Sequence, residues 1–559
     1  MGDRKELQMQ REKDRLITLQ TQSGIKPKDV YGPADIERTD YNRDIANPGE
    51  YPFTRGRYNG MYRNLLWIKH TAFGFQSAEK TNEWLKWQIE RGMTSARITP
   101  DANNIGGIDP DHPLARDIIG HGSAPIYSLS CLEKQLEGIS LLGGGIEFNT
   151  AISPWDDVCK YAMFLGLAEK RGVDWGILRG AMVNDPLHTY ACEICTWQPF
   201  ELAWKLTIDS LEFSAKHTPN FHPIAPCGYD MRETGIDVIQ ELAFVLSERL
   251  EYIDAVIERG IPFEEIGHRI PLQFSGEIDF FETVCKLRAA RRMWAKIAKE
   301  KYNAKDPKSM TAPCSINCAG DSMIAQQPIF NIIRLTIESM ASVFGGVQAL
   351  ELKGFDEPIA LPSKDAEIIN MGINNIIAHE ANIPLVADPL GGSYYVEWLT
   401  NKLEEKATKL MKKIEDMGGF TAAIKKGWIQ EQVREAILKR QKEIDNKEVI
   451  KVCVNEFQNL AEEEIPIRLY EYEEQEGNVA RVLDECRRFK EERDTGRVKG
   501  ALMNLRASVE RDENLILPLM EAFKANATYG EALGVIREAM GYSFDPFNLI
   551  ERPAFLSYK

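Results

Sequence analysis

A repeated alternation of short β-rich runs and longer helical patterns constrains the fold of this 559-residue chain more than any other feature. The eight candidate strands are residues 95–99, 125–130, 146–150, 179–183, 221–228, 270–275, 311–317 and 349–352. Between them lie stretches with helical periodicity, including 154–170, 234–258, 279–299 and 327–344. Eight β/α units predict an α/β fold with a closed, eight-stranded parallel TIM barrel, because open parallel sheets usually have fewer strands.

Segments of different composition flank this predicted barrel, which we place at residues 57–397. Residues 1–56 open with a charged helical pattern at 3–20 and continue as irregular sequence with Pro and Gly. Such an arm has too little apolar surface to fold alone, so we expect it to contact another domain or subunit. Residues 398–559 carry charged amphipathic patterns, notably from 397 to 417 and at 429–444, 478–492 and 495–508, which predict a helical extension. A coiled coil is the weaker interpretation, since Gly418, Pro466 and Gly477 interrupt any heptad.

The overall charge argues against two classes of partner. A formal net charge of −16 would repel both nucleic acid and an anionic membrane surface. The chain has no apolar run long enough to span a bilayer, and its first residues are charged where a signal peptide is apolar. Ten scattered cysteines fit reduced thiols better than a disulfide framework. We therefore expect a cytoplasmic protein.

Polar residues follow the predicted strands, where a parallel barrel collects its functional groups at one mouth. They are Pro100 with Asp101, Asn149 with Thr150, Val183 to Asp185, Tyr229 with Asp230, Gln273, Asn317, and Lys353 to Glu357. This set contains neither a nucleophile–base pair nor a metal triad of His and carboxylates, and no phosphate-binding glycine motif stands in a suitable place. Such a mouth can position a substrate, so we expect a cofactor to supply the reactivity.

Specific motifs are spread over most of residues 50–510. They are Tyr-Pro-Phe-Thr-Arg-Gly at 51–56, Tyr58, Met-Tyr-Arg at 61–63, Trp67, Phe-Gly-Phe at 73–75, Lys-Leu-Arg-Ala-Ala-Arg at 286–291, Trp-Ala-Lys at 294–296, Asp-Glu at 356–357, Ile-Ala-Leu-Pro at 359–362 and Asp-Pro-Leu-Gly-Gly-Ser-Tyr-Tyr-Val-Glu at 388–397. In these motifs the chain resembles the large subunits of the methylmalonyl-CoA mutase family.

The resemblance implies an isomerase whose barrel is threaded by the pantetheine chain of an acyl-CoA and capped by adenosylcobalamin. In such enzymes the cobalt–carbon bond breaks homolytically, and the adenosyl radical abstracts a substrate hydrogen before the carbon skeleton rearranges. The family's cobalt-ligating motif, D-x-H-x-x-G, is absent here. The resemblance therefore implies a separate small cobalamin-binding subunit, as in isobutyryl-CoA and 2-hydroxyisobutyryl-CoA mutases, with the large subunits paired in a heterotetramer.

The resemblance also assigns roles position by position. Glu357 matches the carboxylate that holds the adenosine ribose, Asn317 stands where the family has a glutamine near the adenosyl group, and Gly74 matches the glycine beneath the cofactor. Lys353, which follows the same strand as Glu357, joins the cofactor-binding candidates. The substrate-binding candidates are Tyr58, Met61, Arg269, Thr150, Ala72, Pro100, Val183 and Gln273.

Departures from the family pattern indicate a different acyl group. Ala72 stands where the family has an active-site tyrosine, the arginine that pairs with the substrate carboxylate falls on Glu193, and the family's Gly-Tyr-His becomes Gly-Tyr-Asp, ending in Asp230. We take Tyr229, Asp230 and Glu193 as the catalytic candidates. A desolvated Glu193 would repel methylmalonyl and succinyl groups, so the hypothesis is a larger acyl group that is branched, hydroxylated or cationic. In the alternative, Glu193 turns away and pairs with a local cation such as Lys205.

Two other functions remain open at this stage. A non-catalytic paralogous subunit that scaffolds an active mutase is favoured by Asp230 and Ala72, while Glu357, Gly74, Tyr229 and Arg269 oppose it. A barrel lyase or aldolase would need metal ligands or a Schiff-base lysine at the mouth, for which Lys353 is the candidate.

Overall fold

The structure is a computed structural model that describes residues 20–71, 77–120, 122–142, 144–148, 153–195, 197–463, 465–469 and 476–557. Its strands are β1 (Ile68–His70), β2 (Ala96–Ile98), β3 (Ile146–Phe148), β4 (Gly180–Met182), β5 (Phe221–His222), β6 (Leu272–Gly276), β7 (Cys314–Cys318) and β8 (Ala349–Glu351). Its helices are α1 (Ala78–Glu90), α2 (Ala102–Gly106), α3 (Leu129–Gln135), α4 (Pro154–Lys170), α5 (Pro186–Ala191), α6 (Phe200–His217), α7 (Gly228–Glu233), α8 (Val238–Glu258), α9 (Phe263–Ile266), α10 (Phe280–Glu300), α11 (Asn331–Gly345), α12 (Lys364–His379), α13 (Tyr394–Asp416), α14 (Phe420–Lys425), α15 (Trp428–Asp445), α16 (Glu476–Glu492), α17 (Thr495–Glu510), α18 (Ile516–Lys524) and α19 (Tyr529–Ala539).

The strands form a closed parallel barrel. They pair in parallel in the orders β1-β8-β7-β6 and β2-β3-β4-β5. Backbone contacts bridge the two remaining gaps: the Thr94 amide donates to the Lys69 carbonyl over 3.1 Å, and the Gln273 amide donates to the Pro226 carbonyl over 3.2 Å. The predicted eight-stranded TIM barrel is therefore confirmed.

The strand predicted at residues 125–130 is wrong. The backbone of this segment pairs with a side chain and not with a strand. The side-chain amide of Asn104 accepts from the Ile126 N–H over 3.0 Å and donates to the Ile126 carbonyl over 2.9 Å. Helix α3 then begins at Leu129. An asparagine thus satisfies the polar backbone groups that a neighbouring strand would otherwise satisfy.

The sequence pattern missed the first strand, β1. Only Ile68 of its three residues is apolar, so Lys69 and His70 conceal the β-rich signal. The strand forms because its backbone pairs with β8, placing Ile68 opposite Ala349 and His70 opposite Glu351. Both polar side chains are buried, which is possible only where they meet polar partners inside the barrel.

The predicted helices agree closely with the structure. The 154–170 pattern coincides with α4, and the extension patterns coincide with α13, α15, α16 and α17 to within three residues. Ser363 caps α12, since its hydroxyl accepts from the Ala366 N–H over 3.2 Å. No helix in the described ranges is long and apolar enough to cross a membrane.

The helices after residue 397 pack onto the barrel and have no separate core. Leu399 and Leu403 of α13 belong to the same buried apolar cluster as Phe274 of β6. Leu502 of α17 and Leu519 of α18 belong to a second cluster that includes residues of β2 to β4. The extension therefore supports the outside of the barrel on two sides.

Several of the motif residues stabilise this architecture and do not line the barrel. The buried Arg288 guanidinium pairs with the carboxylates of Asp388 and Glu397, and Asp388 also accepts from Arg55 Nε over 3.1 Å. Removing one partner from such a buried network leaves an uncompensated charge, which is strongly destabilising. These positions hold residues 50–62 against the barrel, and this segment supplies part of the candidate site.

Candidate active site

A cavity of about 580 Å³ runs inside the barrel. TIM barrels normally fill this space with bulky branched side chains. Here six of the inward positions carry small residues, namely Gly145, Gly180, Ala181, Ala225, Ser315 and Ala349. The missing side-chain volume leaves a channel along the barrel axis.

The channel opens at the amino-terminal ends of the strands, and basic side chains line this opening. Arg179 directly precedes β4, and Arg57 lies with its guanidinium 5.1 Å from the centre of the Tyr58 ring. Burial lowers the pKa of Arg57 from its usual range. Lys69 also faces the cavity and donates to Asn375 over 2.7 Å. A basic, partly desolvated opening of this kind suits an anionic ligand group such as phosphate.

A layer of charged side chains lies at the inner end of the channel, near the carboxyl ends of the strands. His70 Nδ1 is 2.9 Å from Glu147 Oε2, and this contact joins β1 to β3 over the intervening β2. Arg97 of β2 pairs with Glu351 of β8, and Lys353 Nζ lies 3.0 Å from the second oxygen of Glu351. Burial alone would raise the pKa of Glu351, but Arg97 and Lys353 lower it to about 2. This carboxylate is therefore ionised and fully paired.

The candidate catalytic residues Tyr229 and Asp230 lie at the barrel mouth on the short helix α7. Asp230 Oδ2 is 2.9 Å from Nε2 of the buried His188. Burial alone would raise the pKa of Asp230, but the hydrogen bond and charge of His188 lower it, so the carboxylate is ionised. Lys353 Nζ lies 4.6 Å from the centre of the Tyr229 ring. The mouth thus presents a carboxylate acceptor that a histidine orients from behind.

The pair at the mouth also accounts for the metal-like cluster among the described residues. The ligand atoms of His188, Cys227 and Asp230 all lie within 4.8 Å of one another. Burial raises the pKa of the Cys227 thiol well above its usual range, so this sulfur stays protonated. The cluster therefore consists of a buried thiol beside the hydrogen-bonded His188–Asp230 pair.

The structure brings together nine of the sequence-predicted site residues. Five of them line the channel: Tyr58, Met61, Val183, Gln273 and Asn317. Tyr229, Asp230, Lys353 and Glu357 surround the mouth. Glu357 is exposed, and its carboxylate accepts from the Gly354 N–H over 3.2 Å. Ala72, Gly74 and Thr150 lie outside the described residues.

The expectation that Glu193 faces the substrate is wrong. Its side chain is 52% exposed, and its carboxylate accepts from Arg434 of α15 over 2.6 Å. Glu193 has a left-handed backbone with φ of 56°, just after α5 ends, and this turn directs the side chain away from the lumen. The alternative of a local cationic partner was correct in kind, with Arg434 in place of Lys205.

Two further candidates lie apart from the cavity. The Arg269 guanidinium donates to the carbonyls of Ser214 over 3.0 Å and Thr218 over 3.2 Å, so it caps the end of α6. Its Nε also donates to the Glu265 carbonyl, and Arg269 does not line the described part of the cavity, so its expected role as an anchor for CoA stays a prediction. Pro100 is also absent from the residues that line the described part of the cavity.

Sequence reasoning missed the charged residues inside the barrel strands. Arg97, Glu147 and Glu351 each sit within a strand that is buried on both faces. A charge in such a strand is itself a signal, because parallel barrel strands otherwise read as apolar runs. Arg57 and Arg179 were missed because they precede the strands, whereas the search considered the residues that follow them.

An axial channel with a basic opening and a polar inner end is suited in shape and charge to a long, narrow anionic ligand. Comparison with known proteins gives the same assignment. The model of the methylmalonyl-CoA mutase family matches residues 20–542. The chain is 33% identical to the 2-hydroxyisobutanoyl-CoA mutase large subunit of Aquincola tertiaricarbonis over 515 residues, which cover 92% of this chain and 90% of that protein.

Longer relatives show the same level of similarity. The methylmalonyl-CoA mutase of Rhizobium meliloti (strain 1021) is 33% identical over 527 residues, covering 93% of this chain and 72% of the relative. The human mitochondrial methylmalonyl-CoA mutase is 31% identical over 524 residues, covering 93% and 68%. The chain belongs to the methylmalonyl-CoA mutase family of isomerases, whose members depend on adenosylcobalamin.

Residues at the barrel mouth fit this cofactor. Glu357 offers an exposed carboxylate, which suits the hydroxyls of an adenosine ribose. Ile359 and Leu361 beside it are 45% and 40% exposed. Exposed apolar side chains around a carboxylate are expected where a large ligand covers the surface.

Proposed function

We propose that this chain is the large, substrate-binding subunit of an adenosylcobalamin-dependent acyl-CoA mutase that works with a separate small cobalamin-binding subunit. Its substrate is an acyl-CoA other than methylmalonyl-CoA, with an acyl group that is bulkier, branched, hydroxylated or cationic. The axial channel is the observation that carries this proposal, because its small lining residues leave room for a pantetheine chain.

The opening binds the nucleotide part of CoA in this proposal. Arg57 and Arg179 neutralise phosphate groups, while Tyr58 and Met61 contact the apolar parts of the same ligand. The thioester then points towards Val183, Gln273 and Asn317 at the inner end. The closed barrel excludes water from the acyl group, which protects a reactive species from side reactions.

The mouth residues orient the acyl group below the cofactor. Bound adenosylcobalamin supplies the radical that removes a substrate hydrogen. Asp230 is ionised beside His188. Its carboxylate can therefore accept a hydrogen bond from a hydroxyl or ammonium group of the acyl chain. It would repel a carboxylate by the same charge. This acceptor supports the expectation of a hydroxylated or cationic acyl group, to which Glu193 no longer contributes.

A lyase or aldolase function has less support. A Schiff-base lysine must lose its proton to attack a carbonyl group. Burial alone would lower the pKa of Lys353, but the carboxylates of Glu351 and Glu357 raise it. Lys353 is therefore held as a cation and serves as an ion-pair partner.

We also propose the division into an arm (1–56), a substrate barrel (57–397) and a helical extension (398–559). The large subunits pair in a heterotetramer in this scheme. The Arg55–Asp388 bond supports an arm that is held on the barrel before any partner binds.

The decisive experiment mixes the full chain with its candidate small subunit, adenosylcobalamin and a panel of acyl-CoAs. We expect a paramagnetic cobalt(II) signal with at least one branched, hydroxylated or amino acyl-CoA, together with isomerised product. A signal with methylmalonyl-CoA alone would contradict the proposed substrate class. Tight CoA binding without any signal or product across the panel would favour the non-catalytic scaffold.

A further inference from the structure

An ionised carboxylate faces the inner end of the channel. Glu147 lies in the middle of β3, and its side chain is 18% exposed towards the cavity. Burial alone would raise its pKa, but His70 and Arg97 lower it. Its Oε2 pairs with His70, whereas no described residue forms a hydrogen bond with its Oε1. One acceptor oxygen is thus available to a ligand in the channel.

The surroundings of Glu147 make this acceptor selective. It is the one carboxylate among the described residues that line the cavity. Its neighbours in the adjoining strands are Ala181 of β4 and Arg97 of β2, and Arg97 pairs with Glu351. Met182, Val183 and Ala225 are apolar residues that also line the cavity. In such a low-dielectric environment a charged acceptor binds a donor strongly and penalises a ligand that brings a second negative charge.

We propose that Glu147 selects the acyl group, by accepting a hydrogen bond from a hydroxyl or ammonium group on the acyl chain and by rejecting acyl chains that end in a carboxylate. The inference rests on the proposed function, in which the CoA thioester enters from the basic opening with its acyl end inward. His70 is the positioning residue, because it holds Oε2 and leaves Oε1 directed at the ligand.

A purely structural role for Glu147 makes a different prediction. The His70–Glu147 pair joins β1 to β3 over the intervening β2, so removing it would lower stability. Lower stability alone would weaken all ligands alike, and it would not change their order of affinity. The ranking of ligands is therefore the informative measurement.

The test measures binding to the full chain by calorimetry with CoA and four thioesters of matched length: butyryl-, 3-hydroxybutyryl-, 3-aminobutyryl- and succinyl-CoA. We expect the hydroxy or amino thioester to bind roughly 10-fold tighter than butyryl-CoA, and succinyl-CoA to bind roughly 10-fold weaker. Glu147→Gln should bring the amino and succinyl thioesters within about 3-fold of each other, because the charge is lost. Glu147→Asp should keep the wild-type order.

Glu193→Gln is the matched control, since it removes an acid from the same chain outside the cavity and should leave the ranking unchanged. A succinyl thioester that binds as tightly as the hydroxy and amino thioesters would overturn the inference. An unchanged ranking of the thioesters in Glu147→Gln would also overturn the inference, but it would leave the proposal that CoA binds in the channel intact. If Glu147→Gln does not fold, the wild-type ranking and Glu147→Asp decide. Failure of both CoA and butyryl-CoA to bind would overturn the proposed function as well.

Discussion

The two ends of the channel treat charge in opposite ways. At the opening, Arg57, Lys69 and Arg179 face the cavity, and no carboxylate lies within 4.0 Å of their cationic groups in the described ranges. At the inner end, Glu147 and Glu351 each have a cationic partner. A cation without a carboxylate partner is available to an anionic ligand, whereas Arg97 and Lys353 at the inner end already pair with Glu351. The opening is therefore suited to capture an anion, and the inner end to discriminate among neutral and charged groups.

The largest expected effect comes from breaking the paired end. Glu351→Gln removes the buried carboxylate that pairs with both Arg97 and Lys353, so we expect a loss of about 3–5 kcal/mol in the free energy of unfolding. Urea denaturation followed by circular dichroism measures it. Glu405→Gln on the surface of α13 is the control, where an exposed pair is expected to cost below about 1 kcal/mol. Equal losses of stability in Glu351→Gln and Glu405→Gln would contradict the expected difference between a buried and an exposed ion pair.

The dependence of stability on pH in the acid range tests Glu351 independently. The pKa of Glu351 in the folded state lies below the ordinary 4.5, at about 2. A lowered pKa adds stability above the unfolded value and loses it as the pH falls through the folded one, so the relevant window runs from about pH 5 to pH 2. We expect the free energy of unfolding of the wild type to fall by roughly 3 kcal/mol across this window because of Glu351, and the fall to be smaller in Glu351→Gln.

Changes at the opening should affect ligand binding more than folding. Arg57→Ala and Arg179→Ala each remove a cation that faces the cavity, so we expect CoA to bind roughly 10-fold weaker, with a shallower dependence on salt. Titration calorimetry at two salt concentrations measures both effects. Arg511→Ala, an exposed arginine paired with Glu513, is the control and should leave affinity unchanged. A loss of stability with unchanged affinity for CoA would show that these arginines stabilise the fold and do not bind the ligand.

The smallest effect is expected for an acid that belongs to neither end. Glu193→Gln removes one partner of an exposed pair with Arg434, and such pairs contribute about 0–1 kcal/mol. We expect CoA affinity and turnover within about 2-fold of the wild type, since the side chain faces solvent. A larger change in the holoenzyme would mean that the loop after α5 turns towards the lumen when the small subunit binds.

Much of the fold was predictable, because hydrophobic period and strand count are local signals. They predicted the barrel, α4 and the helices of the extension. They failed at β1 and at residues 125–130, where distant partners decide the structure: β8 pairs with Ile68–His70, and Asn104 takes the place of a strand for Ile126. Neither partner can be read from the segment itself.

The candidate site was predictable in outline and wrong in one orientation. The principle that residues after barrel strands converge brought Tyr229, Asp230 and Asn317 to the same region. It could not fix Glu193, because a single left-handed residue after α5 reverses the direction of that side chain. Charges within the strands, such as Glu147, were visible in the sequence, although their meaning depended on knowing that the barrel interior is open.

The bond between Arg55 and Asp388 has a consequence for synthesis, because 333 positions separate these two residues along the chain. At translation rates of about 5–20 residues per second, the nascent amino terminus waits roughly 20–70 seconds before its partner leaves the ribosome. Arg57, Tyr58 and Met61 follow Arg55 closely, so the basic opening of the channel cannot be completed before Asp388 has been synthesised. In a truncated product that lacks Asp388, the segment that carries Arg57, Tyr58 and Met61 would lack this attachment to the rest of the barrel.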